Sequence, residues 1–227
     1  ALFPDARVYQ DWREMLRKER DQIDSLNVTT PDHMHAPIAM AAMAMGKPVY
    51  VQKPLAVAIR ETRTLAPAAR EHGVATQMGI QFSSHETQLA TEAMIRQGVI
   101  GRIREVHVFC DKSWGDAVAI PPGSDPVPAS LDWDGWLGVS RPRPFKAGVY
   151  HPGNWRKRIG FGTGTLGDMG CHLFSTPLRG LGVRLPRLVT SHGPARVFGN
   201  WPTHSKIQFV FDAAPPTAGD TLDFWGY

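Results

Sequence analysis

Cysteine, long apolar runs and blocks of like charge are scarce in this sequence, and each absence removes a class of protein. Cys110 and Cys171 are the only cysteines among 227 residues and show no CxxC or Cys/His spacing, so we expect packed thiols and neither a disulfide framework nor a zinc site. No apolar run reaches the roughly 18 residues of a membrane span. The 25 basic and 21 acidic residues are spread along the chain, so a nucleic-acid partner is not predicted.

The sequence does contain a regular alternation of strand and helix patterns up to about residue 100. Strand patterns cover residues 23–28, 47–51 and 74–82, and helical patterns cover residues 11–20, 35–46, 59–73 and 86–101. Such alternation is typical of a parallel sheet covered by helices, and ligands of these sheets bind at the carboxyl ends of the strands. The segments "TTPD" (29–32) and "VQKP" (51–54) follow two of these strands, so we expect both at that edge.

The pattern changes after Ile103. Apolar and polar residues alternate, as they do in half-exposed antiparallel strands, in "IREVHVFC" (103–110), "RLVTSHG" (187–193) and "KIQFVFDA" (206–213). A stretch rich in glycine, proline and tryptophan, residues 112–160, separates the first two of these strands. Loops of this length are usually functional or disordered, and the tryptophans argue against disorder.

The string "GTGTLG" (162–167) matches the GxGxxG spacing of a dinucleotide-binding loop. Such a loop needs a strand before it and an acidic residue about 20 positions after it. The segment "NWRKRIGF" precedes the string, and the next acidic residue after Asp168 is Asp212. We therefore predict that this string does not bind a dinucleotide. If the sheet binds one, we expect its glycine loop upstream of Ala1.

Lys53 stands directly before Pro54 at the end of a buried strand pattern. Proline disfavours the helical conformation for the residue before it, so the direction of Lys53 is set by the backbone. A lysine aimed from the carboxyl end of a parallel strand can donate a hydrogen bond to a substrate oxygen. The alternative is a lysine whose ammonium simply reaches solvent at a strand end.

Asp168 and His172 are four residues apart and share one face if "GDMGCH" is helical. Glycine disfavours a helix by about 1 kcal/mol relative to alanine, so the cluster of Gly164, Gly167 and Gly170 indicates that another group packs close to the backbone here. A capped helix with a satisfied core histidine is the alternative interpretation.

His33 and His35 form an HxH pair, which can bind a metal ion. No third ligand is spaced nearby, and the segment opens a helix, so we expect no metal.

Taken together, "TTPDHMH", "VYVQKP" and "GTGTLGDMGCH" resemble the glucose-fructose oxidoreductase, inositol dehydrogenase and rhizopine-catabolism (Gfo/Idh/MocA) family. The segments "LDWDGWLG", "YHPGNWR" and "GDMGCH" resemble its planctomycete-type branch. The resemblance implies an α/β fold: a partial Rossmann domain, parallel and doubly wound, followed by an α+β domain with a large open, mainly antiparallel sheet. We expect residues 1–82 to be the C-terminal part of the Rossmann domain, without its first βαβ unit. We expect residues 83–227 to be the substrate and oligomerisation domain, incomplete at its C-terminus.

The resemblance also implies the site residues. The family's catalytic lysine, aspartate and histidine fall on Lys53, Asp168 and His172. Residues expected to bind NAD or NADP are Thr30, Pro31, His35, Gln52, Lys53 and Gln81. Residues expected to contact substrate are Lys53, Tyr150, His151, Asn154, Trp155, Arg156, Asp168 and His172. Gln52 departs from the family's Glu-Lys-Pro motif, and we hypothesise that losing this carboxylate disfavours the charged form of Lys53.

The implied reaction is hydride transfer between NAD or NADP and a carbinol of a sugar, polyol or sugar derivative. Two alternatives stay open: a glycoside-cleaving or isomerising enzyme that oxidises its substrate transiently, and a sugar-sensing protein without activity. We expect a homodimer or homotetramer of the full-length protein in the cytoplasm, with twin-arginine export open because the N-terminus is absent. We expect the 227-residue chain alone to be inactive and prone to aggregation.

Overall fold

The computed structural model describes residues 3–227, which divide into two compact units. The first unit runs to Gly79 and also includes Gly123–Lys146, and the second comprises Ile80–Pro122 and Ala147–Tyr227. The first change of unit lies three residues before the predicted domain boundary at residue 82. Residues 123–146 lie within the predicted second domain but group with the first unit. The assignment of a function to each domain stays a prediction.

The first unit is built on a three-stranded parallel sheet. Strands β1 (Leu26–Val28), β2 (Val49–Gln52) and β3 (Thr76–Gly79) lie in the order β1-β2-β3, and Val28 pairs with Val51, which pairs with Met78. The predicted parallel sheet is confirmed. Because all three strands run the same way, their carboxyl ends share one edge.

Three helices alternate with these strands, namely α1 (Trp12–Lys18), α2 (His35–Ala44) and α3 (Ile59–Glu71). Helix α2 is almost entirely apolar, and Ala39, Ala42 and Met43 are buried in the core that it forms with the sheet. It ends before Gly46, whose φ of 73° is the left-handed conformation that glycine favours at helix ends. The alanines of α2 let the helix approach the sheet closely.

The second unit contains a four-stranded mixed sheet. Its strands are β4 (Glu105–Val108), β5 (Leu188–Ser191), β6 (Ile207–Asp212) and β7 (Thr221–Gly226), in the order β4-β7-β6-β5. The pairings β7-β6 and β6-β5 are antiparallel, and β4-β7 is parallel. The sheet is therefore mainly antiparallel, as predicted.

Helices accompany this sheet in the second unit. They are α4 (Glu86–Arg96), α6 (Gly164–Leu173) and α7 (Ser175–Leu181). Leu181, Phe211, Leu222 and Phe224 form the buried centre between helices and sheet. Helix α4 stops at Arg96, earlier than the predicted residue 101, because Gly98 takes a φ of 73° that reverses the chain.

The stretch 112–160 is ordered but holds little regular structure. It contains helix α5 (Trp133–Leu137) and a 3-10 turn at Asn154–Lys157. In residues 3–227, no helix has both the length and the apolar character needed to cross a membrane.

Candidate functional site

The carboxyl edge of the parallel sheet carries Lys53, directly after β2. The side chain of Lys53 is half-buried, and its peptide bond to Pro54 is cis. Gln52 Oε1 accepts a hydrogen bond from the Lys53 backbone N–H at 3.3 Å. A Cβ on Gly79, at the end of β3, would lie 2.9 Å from the Tyr50 ring and 3.0 Å from Gln52 Nε2. The Gln52 side chain therefore lies close to the end of the neighbouring strand, where Gly79 presents no side chain.

His35 joins the loops that follow β1 and β2. Its ring is buried, with Nδ1 2.7 Å from the carbonyl oxygen of Pro54 and Nε2 2.7 Å from that of Thr30. Burial lowers the pKa of His35, and the charge of Lys53 acts in the same direction, while the two carbonyl oxygens oppose the shift. Both ring nitrogens face backbone, so His35 is placed to hold Thr30 and Pro54 together.

His33 is also buried, 2% exposed, and Nε2 lies 3.2 Å from the carbonyl oxygen of Trp136. Its ring is 5.7 Å from the Trp136 ring, at an interplanar angle of 52°. Burial lowers the pKa of His33 from 6.5 to about 4, although hydrogen bonding to the Trp136 carbonyl partly opposes this. The imidazole is therefore neutral in the folded protein at neutral pH.

This burial predicts an acid-dependent loss of stability. Between pH 6.5 and about 4 the unfolded chain binds a proton at His33 that the folded chain does not, so the free energy of unfolding falls as the pH falls through this window. The full effect is about 3 kcal/mol, at 1.4 kcal/mol for each pH unit. Urea unfolding of His33→Gln should show a shallower decline with falling pH than the wild type. The exposed His204→Gln should decline like the wild type, and an identical decline in all three proteins would contradict the prediction.

His33 and His35 are not arranged as a pair of metal ligands, because both nitrogens of His35 face carbonyl oxygens. Over residues 3–227, no group of three or more His, Cys, Asp or Glu side chains is placed to hold a metal ion.

In the second unit, helix α6 carries Asp168 and His172 one turn apart. Asp168 is 6% exposed, and its Oδ1 lies 3.7 Å from Arg156 Nε. The Arg156 guanidinium also lies over the Trp155 ring at 4.3 Å and the Trp114 ring at 5.3 Å. Two indoles and a buried carboxylate therefore fix the position of this cation.

His172 is half-buried and packs against Phe82. The two rings are edge to face, with centroids 5.3 Å apart and an interplanar angle of 86°. Phe82 was not among the predicted site residues, although it follows Gln81, which was. Gln81 and Phe82 lie in a 3-10 turn, Gln81–Ser84, and Ser83 Oγ is 2.7 Å from Ser175 Oγ at the start of α7. This hydrogen bond holds the turn close to the end of α6.

The segment "YHPGNWR" is compact, and its aromatic rings are packed inside the unit. Tyr150 is buried and meets Phe161 edge to face at 5.4 Å. Trp155 is buried, and its Nε1 donates to the carbonyl oxygen of Pro152 at 3.0 Å. Both rings thus stabilise the segment from within, and they offer little surface for stacking on a sugar.

The polar members of the segment differ in exposure. Asn154 is half-buried, and its Nδ2 donates to the carbonyl oxygen of Gly148 at 2.6 Å. His151 is exposed, and its peptide bond to Pro152 is cis. Arg156 is half-buried beside Asp168. Of the predicted substrate contacts in this segment, His151 and Arg156 are therefore the most available to a ligand.

The glycine cluster at the start of α6 meets a tryptophan that sequence reasoning missed. A Cβ on Gly164 would lie 2.6 Å from the Trp201 ring, and Gly164 has a φ of 63°. Trp201 Nε1 donates to the carbonyl oxygen of Gly162 at 2.8 Å. The predicted close packing is confirmed at Gly164. The string "GTGTLG" therefore opens a helix beneath an indole, and a 3-10 turn precedes it.

A family model described as "Oxidoreductase family, NAD-binding Rossmann fold" (GFO_IDH_MocA) matches residues 1–80 of the chain. Among curated proteins, "Uncharacterized oxidoreductase YfiI" of Bacillus subtilis is 31% identical over 121 residues, 50% of this chain and 31% of that protein. "scyllo-inositol 2-dehydrogenase (NADP(+)) IolW" of the same bacterium is 26% identical over 190 residues, 84% of this chain and 42% of that protein. The chain thus matches less than half the length of either relative.

Among solved structures, an inositol dehydrogenase homolog of Azotobacter vinelandii complexed with NAD+ superposes with a TM-score of 0.66. Its sequence is 21% identical, and the match covers 96% of this chain and 50% of that one. The two proteins share a fold, and the similarity extends through both units of the chain.

Proposed function

We propose that the complete protein transfers a hydride between NAD or NADP and a carbinol of a sugar, polyol or sugar derivative, because residues 1–80 match the GFO_IDH_MocA oxidoreductase family model. The observation that carries the proposal is the carboxyl edge of the parallel sheet, where Thr30 follows β1 and Lys53 follows β2, since ligands of such sheets bind at this edge. The pair Asp168 and His172 on α6 supplies the groups for proton transfer. The relative named as an inositol dehydrogenase supports a polyol as substrate.

The carboxyl edge of the sheet in the first unit carries groups that suit the nicotinamide riboside part of a dinucleotide. The Thr30 side chain is exposed, and the side chains of Gln52 and Lys53 are half-buried. Their hydroxyl, amide and ammonium groups are of the kinds that bind the hydroxyls and the amide of a nicotinamide riboside. Residues 29–34 and 53–58, which join strands to helices in the described part of this unit, contain no glycine. The glycine turn that cradles a pyrophosphate is therefore not formed by these junctions. When bound, the nicotinamide would supply the hydride acceptor or donor.

We assign each catalytic side chain one role. His172 accepts the proton of the substrate hydroxyl at a ring nitrogen, since imidazole can exchange a proton near neutral pH. Asp168 stabilises the imidazolium that forms, as a buried carboxylate one helical turn away can do. Lys53 donates a hydrogen bond to the developing alkoxide.

Arg156 adds a charged group beside Asp168 in the second unit. Its Nε lies 3.7 Å from Asp168, so the two charges partly offset each other. Substrate hydroxyls could accept from the remaining guanidinium N–H groups.

The positions of His35, Tyr150 and Trp155 support an indirect role in binding for each of them. We infer that His35 acts on the cofactor through Thr30 and Pro54, whose carbonyl oxygens it contacts. We infer that Tyr150 and Trp155 act on substrate through His151 and Arg156, which stand next to them in the chain, because their own rings are packed inward.

Cofactor stoichiometry tests the proposal. The complete protein is mixed with NAD+ or NADP+ and a panel of inositols, hexoses and uronic acids, and the absorbance of reduced nicotinamide is followed. We expect net reduction of the cofactor in step with substrate consumed. Turnover without net reduction would instead support the glycoside-cleaving or isomerising alternative, and sugar binding without turnover would support a sensor. Failure to bind either nicotinamide would contradict the proposal.

A further inference from the structure

Residues 123–146 form a closed excursion that belongs to the first unit, although the chain on both sides of it belongs to the second. Lys146 Nζ lies 2.8 Å from Asp125 Oδ1, and the Asp125 N–H donates to the carbonyl oxygen of Phe145 at 2.9 Å. The ends of the excursion are thus fastened to each other by an ion pair and a backbone hydrogen bond. Its 24 residues are held as one compact loop.

The excursion has its own aromatic centre. Trp133 is buried and stacks on Trp136 at 5.1 Å with an interplanar angle of 11°. Phe145 meets Trp133 edge to face at 5.2 Å, and Trp133 Nε1 donates to the carbonyl oxygen of Arg143 at 2.8 Å. Such close packing restricts the loop to one conformation. Residues that contact the loop are therefore held in fixed positions.

The middle of the excursion contacts the loop between β1 and α2. The Trp136 carbonyl oxygen lies 3.2 Å from His33 Nε2. A Cβ on Gly138 would lie 2.2 Å from Met34 Sδ, and Gly138 has a φ of 54° and a ψ of −114°. This conformation favours glycine, and the missing side chain leaves room for the end of the Met34 side chain. Trp136 and Gly138 thus fix the two residues that directly precede His35.

His35 connects the loop between β1 and α2 to the carboxyl edge of the sheet. Its ring contacts the carbonyl oxygens of Thr30 and Pro54, so the excursion, His33 and Met34, and then His35 form a continuous series of contacts ending at the loops after β1 and β2. Lys53 belongs to the second of these loops. Every step of the series lies within the first unit.

We propose that residues 123–146 are a positioning element of the cofactor site, in which Trp136 and Gly138 hold the loop 29–35 in its binding conformation. The inference rests on the proposed function, because it assigns cofactor binding to the loops after β1 and β2. Trp136 and Gly138 are positioning residues and need not touch the cofactor themselves.

Gly138→Ala tests the inference in the complete protein, with Gly123→Ala as a matched control. Gly123 also has a positive φ, 85°, and no atom lies within 4 Å of a Cβ placed on it, so the control introduces an alanine at positive φ without a contact to Met34. We expect Gly138→Ala to raise the Kd for NADH, measured by calorimetry, by about tenfold, within the range usual for coupled sites. The control should stay within about twofold on the same scale.

Hydrogen exchange supplies a readout that a general loss of stability would not reproduce. The Met34 N–H donates to the carbonyl oxygen of Pro31 at 2.9 Å, so peptides covering residues 29–35 report on the loop directly. We expect faster exchange there in Gly138→Ala, with unchanged exchange in β2. If Gly138→Ala does not fold, Trp136→Leu takes its place, since it removes the indole and keeps the backbone carbonyl.

Equal exchange over residues 29–35 in the variant and the control would overturn the inference, and so would faster exchange with an unchanged Kd for NADH. If the wild-type protein binds no nicotinamide, the proposed function fails. The exchange measurement then decides by itself whether the excursion holds the loop.

Discussion

Replacement of His172 by asparagine is expected to lower kcat of the complete enzyme by about 10²–10⁴-fold, the usual contribution of a general base. Asparagine keeps a polar side chain of similar reach beside Phe82 but cannot take up a proton. KM should change much less, because the lost interaction is formed in the transition state. The acid limb of the pH profile, which we assign to protonation of His172, should disappear in the residual activity.

The matched control is His204→Asn, in which an exposed histidine of the same unit is replaced. It should retain wild-type kcat and the acid limb. A His172→Asn enzyme with kcat within a few-fold of wild type would remove His172 from the mechanism. An equal loss in both variants would point to a structural effect of the substitutions.

The fold could be predicted from the sequence because its signals are local. The parallel sheet was predicted from short apolar strands alternating with helices up to residue 100, and it is confirmed. The alternating pattern of residues 206–213 predicted β6, which pairs antiparallel on both sides. The resemblance to the oxidoreductase family is confirmed over residues 1–80. The more detailed assignment to a planctomycete-type branch stays a prediction.

Long-range packing was not predicted, because no local pattern encodes it. The grouping of residues 123–146 with the first unit depends on contacts of His33 and Met34 with Trp136 and Gly138, about a hundred positions along the chain. The sequence marked the stretch as ordered through its tryptophans but gave no indication of what they pack against.

In the candidate site, too, local motifs could be predicted from the sequence and long-range contacts could not. Lys53, Asp168 and His172 came from motif spacing, and their catalytic roles stay predictions. Phe82 and Trp201 were missed, since an exposed phenylalanine in a turn and a tryptophan in a loop have no distinctive spacing. One signal for Trp201 was present, however. The glycines of "GTGTLGDMG" predicted a close neighbour, and the structure identifies the indole that lies against Gly164.

Because of this contact, we predict that Gly164→Ala is strongly destabilising. Alanine at a φ of 63° is disfavoured by about 1–2 kcal/mol, and overpacking of a filled site typically adds about 1–3 kcal/mol. The new Cβ would meet the Trp201 ring at 2.6 Å, and the indole cannot retreat without breaking its hydrogen bond to the Gly162 carbonyl. We therefore expect the free energy of unfolding to fall by about 2–5 kcal/mol, measured by urea unfolding.

Gly182→Ala separates the backbone strain from the clash with Trp201. Gly182 ends α7 with a φ of 73° and has nothing within 4 Å of an added Cβ, so it should lose only the 1–2 kcal/mol or so of the backbone term. Trp201→Leu should partly relieve the clash in the Gly164→Ala background, so the double variant should lose less stability than the sum of the single losses. Equal losses at Gly164 and Gly182, together with additive behaviour in the double variant, would show that the indole does not press on the start of α6. The constraint on the helix that carries Asp168 and His172 would then come from the backbone alone.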